Sequence, residues 1–561
     1  MKIPKLSIHD EQGTVLFNAV VYAGVLGIGC LALLSLGSYR VQSAYNRWDS
    51  NEAYYHAENA LQWGVQRIAD TNANLTGQFS ASGGQIQLPY LASLNGSTDT
   101  GFADAWLTIS NHPSGIFNEF LVTASAKVGN RVRTIQAVVQ KNPPSQVFDY
   151  EYFLNNWGWW WGSTITGQGD NRANWDFDFR GGPTVNGSVT ANGWIESNGT
   201  KIDPLGGPVP INGLAGTDPV AYLHDGSPRL QMPNLKNFTG YEQQAVDKGG
   251  KLYVGSTLMV DAVHGNAAKP GLFLNGTAAN PIRVDGPVVI PGDVVIKGPI
   301  TGVGTLYVGG NLYIAGDLTY ANGPDYSSPP ELMSAASRDS WVKNNLDSKK
   351  DLVAFAVREA ILGGQVNNAA WKSACYDAAS YGLKNVGGEA NLGADGIIGT
   401  PDDGVPFRDT NGDGVPDSAW YDADGDGVID QNYNYTNQIT MTDSRAQRIY
   451  NYPTNASGTV ADFNSHSTNN FNTVSGIFYC NHACAMRAAK ANFVFTGALI
   501  CRDEAIIFSN TARFIYDSRI HSRYSNDPNR YIDLGLPIAN KVKIKTLTEM
   551  KPVEGFYTAG G

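Results

Sequence analysis

The stretch from Glu11 to Thr71 constrains this chain most, because its first part is too apolar to be left in water. Val15 to Leu36 is an almost unbroken apolar run, interrupted only by small residues and Asn18. A helix needs about 20 such residues to cross a bilayer, and this run is long enough. The stretch contains no proline, so we expect one long helix whose first half is apolar and whose second half is amphipathic.

The second half of this helix carries apolar residues at steps of roughly three and four, which predicts a single apolar face. They are Val41, Tyr45, Trp48, Tyr55, Leu61, Val65 and Ile68. Lys2 and Lys5 precede the apolar run, so we expect the N-terminus on the cytoplasmic side and the rest of the chain outside. A secretory signal peptide is the alternative, but the run is longer than a usual signal core and no small-residue cleavage site follows it directly.

Composition indicates a turn-rich β protein after the helix. The chain has 561 residues, 63 glycines and only 16% charged residues, a balance that favours strands and turns over helices. Its net charge of -11 comes mostly from residues 395 to 430, which hold ten aspartates and one arginine. Because no basic patch is present, a nucleic-acid partner is not expected.

A hairpin follows the helix in the sequence. Residues 120–128 and 132–139 are strand-like runs on either side of Gly129-Asn130, a pair that is typical of tight hairpin turns. The helical segment YYHAENALQWGVQRIAD and the hairpin FLVTASAKVGNRVRTIQAVVQ resemble type IV pilin-like proteins, particularly large minor pilins of the PilX kind. The resemblance covers about residues 1–142 and implies a filament-forming helix laid on a small antiparallel sheet.

The resemblance also implies a processing site between Gly13 and Thr14, where a prepilin peptidase would cut. The fifth residue after that cut is Asn18, where the family usually has glutamate. In the family, the carboxylate of this glutamate pairs with the N-terminal amine of a neighbouring subunit. This departure leaves two interpretations of the helix open. It is either the core element of a filament or a plain membrane anchor.

Four tryptophans, Trp157, Trp159, Trp160 and Trp161, open the next segment. Such a cluster is either an aromatic platform for a glycan or, as we prefer, a packing cap or subunit contact, because tryptophan buries a large apolar area.

A six-residue repeat then predicts a β-solenoid. Glycine recurs at every sixth position from Gly286 to Gly316, and an aliphatic residue stands two places after each of these glycines. Short strands whose inward side chains stack coil on coil have this pattern. The repeat, which is weaker at residues 186–199, resembles bactofilins and other polymer-forming β-helices. Residues 331–394 are expected to be a helical insertion, because Trp341, Leu346, Leu352, Phe355, Ala356, Ile361 and Leu362 follow helical spacing.

The acidic segment predicts structural calcium sites. Residues 409–414 and 422–427 both fit the pattern D-x-[DN]-x-D-G, whose alternating oxygens can surround one calcium ion. The glutamate that completes an EF-hand is missing, and the segment resembles thrombospondin type 3 and dockerin loops instead. A solvated acidic linker is the alternative. The candidate ligands are Asp395, Asp402, Asp403, Asp409, Asn411, Asp413, Asp417, Asp422, Asp424, Asp426 and Asp430.

Cys480, Cys484 and Cys501 form an odd trio near the C-terminus. A disulfide between two of them is preferred outside the cytoplasm, and a zinc site that includes His482 is the weaker alternative.

The predicted fold class is α+β, a long N-terminal helix on a small antiparallel sheet followed by a mainly β solenoid with insertions. The predicted segments are the leader and membrane helix 1–36, the pilin-like domain 37–142, the solenoid 143–330, the helical insertion 331–394, the calcium loops 395–434 and the C-terminal solenoid with its cap 435–561. No catalytic motif is recognisable, so catalysis is not expected, although some β-helices degrade polysaccharides.

The leading hypothesis is a structural subunit of a pilus-like filament at the cell surface, assembled from the cytoplasmic membrane with copies of itself or with other pilin-like subunits. A membrane-anchored glycan-binding adhesin that does not polymerise is the alternative.

Removing calcium should expose residues 395–430 to proteases, because ten aspartates so close together repel one another unless a divalent ion neutralises them. Limited proteolysis with and without a chelator, followed by mass spectrometry of the fragments, measures this effect. Re-adding calcium should restore protection, whereas magnesium at the same concentration should not. Equal cleavage with and without the chelator would identify the segment as an acidic linker.

Overall fold

The computed structural model divides the chain into two compact units. The first contains residues 1–143 and 541–561, and the second contains residues 144–540. The structure describes residues 10–70, 86–87, 104–113, 119–381 and 439–551, apart from short gaps at 142, 156–157, 207–208, 234, 236–237, 489–491, 503–504, 526, 528 and 540–541. The second unit is therefore an insertion in the chain of the first.

The first unit begins with the helix α1 (Asp10–Asp70), which confirms the predicted long helix. Its second half differs from the prediction, because the apolar positions lie on two faces instead of one. Tyr45, Trp48 and Tyr55 are exposed, whereas Leu61 and Ile68 are buried. A helix turns by about 100° per residue, so the six-residue step from Tyr55 to Leu61 moves the apolar position to a different side.

The sheet of the first unit is antiparallel and has the order β1-β2-β3-β4-β30. Its strands are β1 (Ile86–Gln87), β2 (Asp104–Asn111), β3 (Glu119–Val128), β4 (Arg131–Lys141) and β30 (Val542–Met550). The predicted hairpin is confirmed, since β3 and β4 pair along their whole length around Gly129-Asn130. The last strand differs from the prediction. Residues 542–550 do not continue a solenoid but pair with β4 in this sheet.

Small residues on α1 let the helix lie close to the sheet. Ala57 and Ala60 are fully buried, and a Cβ added to Gly64 would lie 2.9 Å from the side chain of Leu107 and 3.1 Å from that of Val122. Side chains from β2, β3 and β4 complete this core. The sheet therefore covers one face of the C-terminal half of α1.

The second unit contains many short strands and a few helices. The strands are β5 (Tyr152–Leu154), β6 (Gly158–Trp161), β7 (Ile165–Gln168), β8 (Asn171–Ala173), β9 (Phe177–Arg180), β10 (Thr184–Val185), β11 (Val189–Ala191), β12 (Ile195–Ser197), β13 (Thr200–Lys201), β14 (Leu223–His224), β15 (Lys251–Val254), β16 (Thr257–Asp261), β17 (Gly271–Asn275), β18 (Ile282–Asp285), β19 (Val288–Ile290), β20 (Val294–Val308), β21 (Leu312–Tyr320), β22 (Leu352–Val357), β23 (Ile361–Gly363), β24 (Ile449–Tyr450), β25 (Thr473–Cys480), β26 (Cys484–Ala488), β27 (Phe493–Cys501), β28 (Ala505–Ser509) and β29 (Ala512–Tyr516). The helices are α2 (Leu214–Thr217), α3 (Pro219–Tyr222), α4 (Thr239–Asp247), α5 (Ala335–Asp347), α6 (Ala369–Tyr381), α7 (Asp443–Gln447) and α8 (Phe463–His466).

Most of these strands pair in parallel and form three columns. The first column joins β17, β20, β21, β23, β26 and β28. The second joins β18, β20, β21, β25, β27, β29, β7 and β10. The third joins β19, β20, β22, β25, β27, β5, β8, β11 and β14.

The six-residue repeat determines which residues pair in these columns. Val288 pairs with Leu306, and Val294 pairs with Leu312, so each aliphatic residue lies beside the one three repeats later. All four are fully buried. The glycine steps therefore return equivalent side chains to the same column of the core.

The predicted helical insertion at 331–394 is only partly helical. Trp341 and Leu346 lie in α5, but Leu352, Phe355, Ala356, Ile361 and Leu362 lie in β22 and β23. Every residue of these two strands is buried. A strand that is buried on both faces has no alternation of apolar and polar residues. Periodicity alone then cannot distinguish its continuous apolar run from a buried helix.

The order of strands in the stack does not follow the order of the chain. β5, from the start of the second unit, lies between β27 and β8 in the third column. Beside it in the second column, β29 pairs with β7. The stack is therefore continuous only because segments from both ends of this unit meet.

Replacing Gly497 with alanine should destabilise the second unit by more than about 3 kcal/mol. Gly497 pairs in register with Gly476, its φ is +134°, and an added Cβ would lie 1.8 Å from the carbonyl oxygen of Gly476. Chemical denaturation measures the loss. Gly265→Ala is the matched control, because a Cβ at that position meets nothing within 4 Å. Equal stabilities of the two variants would contradict the register of β25 and β27.

Glu151→Gln should stabilise the second unit at neutral pH, because an amide stays neutral whereas a buried carboxyl is destabilised when it ionises. Glu151 is fully buried beside β5. Burial raises the pKa of Glu151 well above its ordinary value, and a contact with the Gln168 backbone lowers it only in part.

A carboxyl whose pKa is raised on folding favours the folded state at low pH, and this contribution is lost as the pH rises from the ordinary pKa towards the folded one. The gain of Glu151→Gln should therefore be larger at pH 8 than at pH 4, in unfolding experiments at both pH values. A pH-independent effect at Glu151 would show that ionisation is not its cause.

Candidate assembly helix and outer sheet face

The N-terminal half of α1 presents an apolar surface that none of the described residues covers. Its large side chains between Val15 and Leu36 are 45–72% exposed. Within the described part of the chain, α1 is the one helix whose length and composition allow it to cross a membrane, with a mean hydropathy of 2.3 in its most apolar window. This surface is suited to a bilayer or to other apolar helices.

The exposed residues continue beyond the apolar run as an aromatic stripe, which we define as Val41, Tyr45, Trp48 and Tyr55. All four are 56–70% exposed, and their spacing places them on one side of α1. The indole nitrogen of Trp48 donates to the Glu52 carboxylate over 3.1 Å. The stripe faces away from the residues that pack on the sheet.

Gly13 and Thr14, the predicted processing residues, lie within the span of α1. Asn18 lies in the exposed part of the same helix.

The four clustered tryptophans do not form one platform. Trp157 lies outside the described residues. Trp160 is buried among Tyr152 and Phe514, with ring centroids 6.0 and 5.3 Å away, so it is a core residue and not a glycan contact. Trp161 is 65% exposed. Its ring centroid lies 6.4 Å from that of Trp159.

Trp159 and Trp161 belong to a four-stranded sheet of order β13-β12-β9-β6. Side chains alternate between the faces of a strand, and Trp160, Phe177, Phe179 and Ile195 occupy the core side. The opposite side carries Trp159, Asp178 and Glu196 side by side in register, with Trp161 beside Arg180. We call this side, defined by Trp159, Trp161, Asp178, Arg180 and Glu196, the tryptophan face.

Hydrogen bonds hold the central carboxylate of the tryptophan face in place. Asp178 accepts from the Arg180 Nε over 2.6 Å and from the backbone nitrogen of Gly199 over 3.3 Å. Burial, with the nearby charges of Asp176 and Asp178, raises the pKa of Glu196 to about 7. Glu196 is therefore protonated in part of its population near neutral pH.

Asp176 and Trp194 lie at the edge of this face. The Trp194 backbone nitrogen donates to Asp176 over 2.5 Å, and the Lys201 ammonium lies 3.5 Å from the centre of a Trp194 ring. A cation held over an aromatic ring in this way stabilises the ring's position.

Sequence reasoning missed Asp178, Arg180 and Glu196. The signal was present, because the alternating segment FDFR and the six-residue glycine steps around Gly193 and Gly199 predict which residues face inward. The outward neighbours of those residues are the members of the tryptophan face.

The predicted calcium ligands between Asp395 and Asp430 all lie outside the described residues. Among the residues that the structure does describe, no group of three or more His, Cys, Asp or Glu side chains is arranged to hold a metal ion.

The predicted disulfide is not formed in the structure, in which Cys480, Cys484 and Cys501 are buried thiols. Cys480 and Cys501 pair in register on neighbouring parallel strands. Burial raises the pKa of Cys501 well above its ordinary value, so the Cys501 thiol stays protonated and packs as a small core residue.

Comparisons with known proteins identify no family for this chain. No family model matches it, and no curated protein matches it. Among solved structures, the crystal structure of the competence-associated pilin ComZ from Thermus thermophilus aligns with 89% of this chain and 97% of its own, at 11% identity and a TM-score of 0.28. An alignment at this TM-score supports no conclusion about fold or function.

Proposed function

We propose that this chain is a structural subunit of an extracellular filament of the type IV pilus kind. The observation that carries the proposal is α1, whose N-terminal half is apolar and wholly exposed while its C-terminal half is packed on an antiparallel sheet. One half of the helix is available to other molecules, and the other half is fixed to its own domain.

The exposed half of α1 needs an apolar partner. Each Å² of apolar surface left in water costs about 25 cal/mol, and a contiguous patch of this size marks an interaction site. The membrane covers it before assembly, and the same segments of neighbouring subunits cover it in the filament. Tyr39 and Arg40 follow the apolar run after Gly37 and Ser38, as expected where a helix leaves a bilayer.

The aromatic stripe extends this contact surface outside the membrane. The aromatic stripe is exposed although it lies on the C-terminal half of α1, whose opposite side packs on the sheet. Tryptophan and tyrosine contribute most to protein interfaces. The stripe therefore serves as a second helix–helix contact between subunits.

The second unit is the part that the filament displays. Its parallel columns and in-register glycines support a β-solenoid, a rigid scaffold in which each coil contacts only its neighbours. Calcium bound by residues 395–430 stabilises that segment in this proposal, and the chain has no catalytic role in it. The second candidate function, a membrane-anchored adhesin that does not polymerise, is favoured by the exposed Trp161.

Removing the aromatic stripe should reduce filament formation without unfolding the protein. Tyr45→Ser with Trp48→Ser should lower the amount of chain in sheared surface fibres roughly tenfold, as expected for the loss of interface hot spots. Immunogold electron microscopy and quantitative blotting of the sheared fraction measure this effect. N-terminal sequencing of the fibre-associated chain tests cleavage after Gly13.

Leu205→Ser is the matched control, because Leu205 is an apolar residue of the second unit that is 84% exposed. It should leave the fibre fraction unchanged. Finding the wild-type chain in membrane fractions and never in fibres would contradict the filament proposal and support the anchored adhesin.

A further inference from the structure

The tryptophan face places apolar and polar side chains next to one another on the surface of one sheet. An exposed indole, a half-buried indole, a fixed carboxylate, an arginine and a carboxyl with a raised pKa lie on neighbouring strands. We propose that this face binds a neutral saccharide chain that runs across strands β6, β9 and β12.

The two indoles supply the apolar part of the site. Trp161 is 65% exposed, and its ring is tilted by 56° to that of Trp159, so the pair presents an angled wall instead of a flat patch. Pyranose rings carry C–H groups on their faces and hydroxyls around their edges. The indole rings cover the C–H face of a sugar and leave its hydroxyls free for polar partners. Ligand sites usually combine apolar walls with a few polar groups in this way.

Arg180 supplies a fixed polar partner next to the indoles, and the buried Asp178 carboxylate holds its guanidinium in place. Asp178 is fully buried, and its carboxylate is already oriented by the Arg180 Nε and by Gly199. Arg180 itself keeps about a third of its side chain exposed. Because these groups are ordered before a ligand arrives, binding loses little side-chain entropy.

Glu196 supplies a group that both donates and accepts. It lies in register beside Asp178, and a partly protonated carboxyl offers an O–H donor together with acceptor oxygens. A sugar hydroxyl is also both donor and acceptor, so the two match. A fully ionised carboxylate would accept only.

The spacing of the face fits a chain of sugars. Neighbouring strands lie about 4.8 Å apart, a step comparable to the length of one sugar residue. Trp159, Arg180 and Glu196 occupy three successive strands. Successive sugars would therefore meet the indole wall, the guanidinium of Arg180 and Glu196 in turn.

Binding can be tested on the full chain in a detergent that has no sugar headgroup. The probes are cellohexaose, xylohexaose and N-acetylated chitohexaose, each followed by isothermal titration calorimetry and by saturation-transfer NMR. We expect saturable binding of at least one probe. Trp161→Ala should weaken it at least tenfold, and Glu196→Gln should remove the dependence of binding on pH between 6 and 8.

Trp48→Ala is the matched control, because Trp48 is equally exposed but lies on α1, and it should bind the probes like the wild type. Trp161 is on the surface, so Trp161→Ala should keep its melting temperature and its fibre yield. This separates the saccharide proposal from the filament proposal. No saturable binding of any probe, or equal binding by Trp161→Ala, would overturn the site.

Discussion

The uncovered apolar surface of α1 is the constraint on which the rest of this protein depends. A surface of this size is stable only in a bilayer or against other apolar helices, so it determines where the chain can be at each stage. The C-terminal half of the same helix cannot satisfy that need, because Ala57, Ala60 and Gly64 hold it close to the sheet. The helix is continuous from Asp10 to Asp70, and it therefore links the exposed apolar surface to the part that packs on the sheet.

The second unit solves a different problem, which is how to build a large core from very short strands. No strand of a few residues is stable alone. The repeat solves this by returning Val288 and Leu306 to one column, which Phe355 of β22 continues, and each side chain covers its neighbours. Glycine is needed where stacked backbones approach most closely, as at Gly476 and Gly497. Polar residues that do not belong to these columns lie on the outer faces of the unit. The tryptophan face is one of those outer faces.

Local patterns in the sequence were enough to predict α1 and the β3–β4 hairpin. The six-residue repeat was read directly from the positions of the glycines. The errors share one cause, which is that burial depends on contacts distant in the sequence. Leu352 to Val357 imitates a helix because both of its faces are covered. Tyr55 and Leu61 lie on different sides of α1, and the sheet determines which of the two sides is buried. Asp178 and Glu196 lie side by side because their strands pair in register.

The strands near the C-terminus close both units, and this has a consequence for folding. β30 covers the outer edge of β4 in the first unit, while β27 and β29 cover β5 and β7 in the second. Thr164 donates a hydrogen bond to the carbonyl of Asn510, 346 residues later. Open strand edges promote aggregation until they are paired, and contacts between such distant residues form slowly. Both units therefore carry open strand edges until the residues of β27, β29 and β30 are available to pair with them.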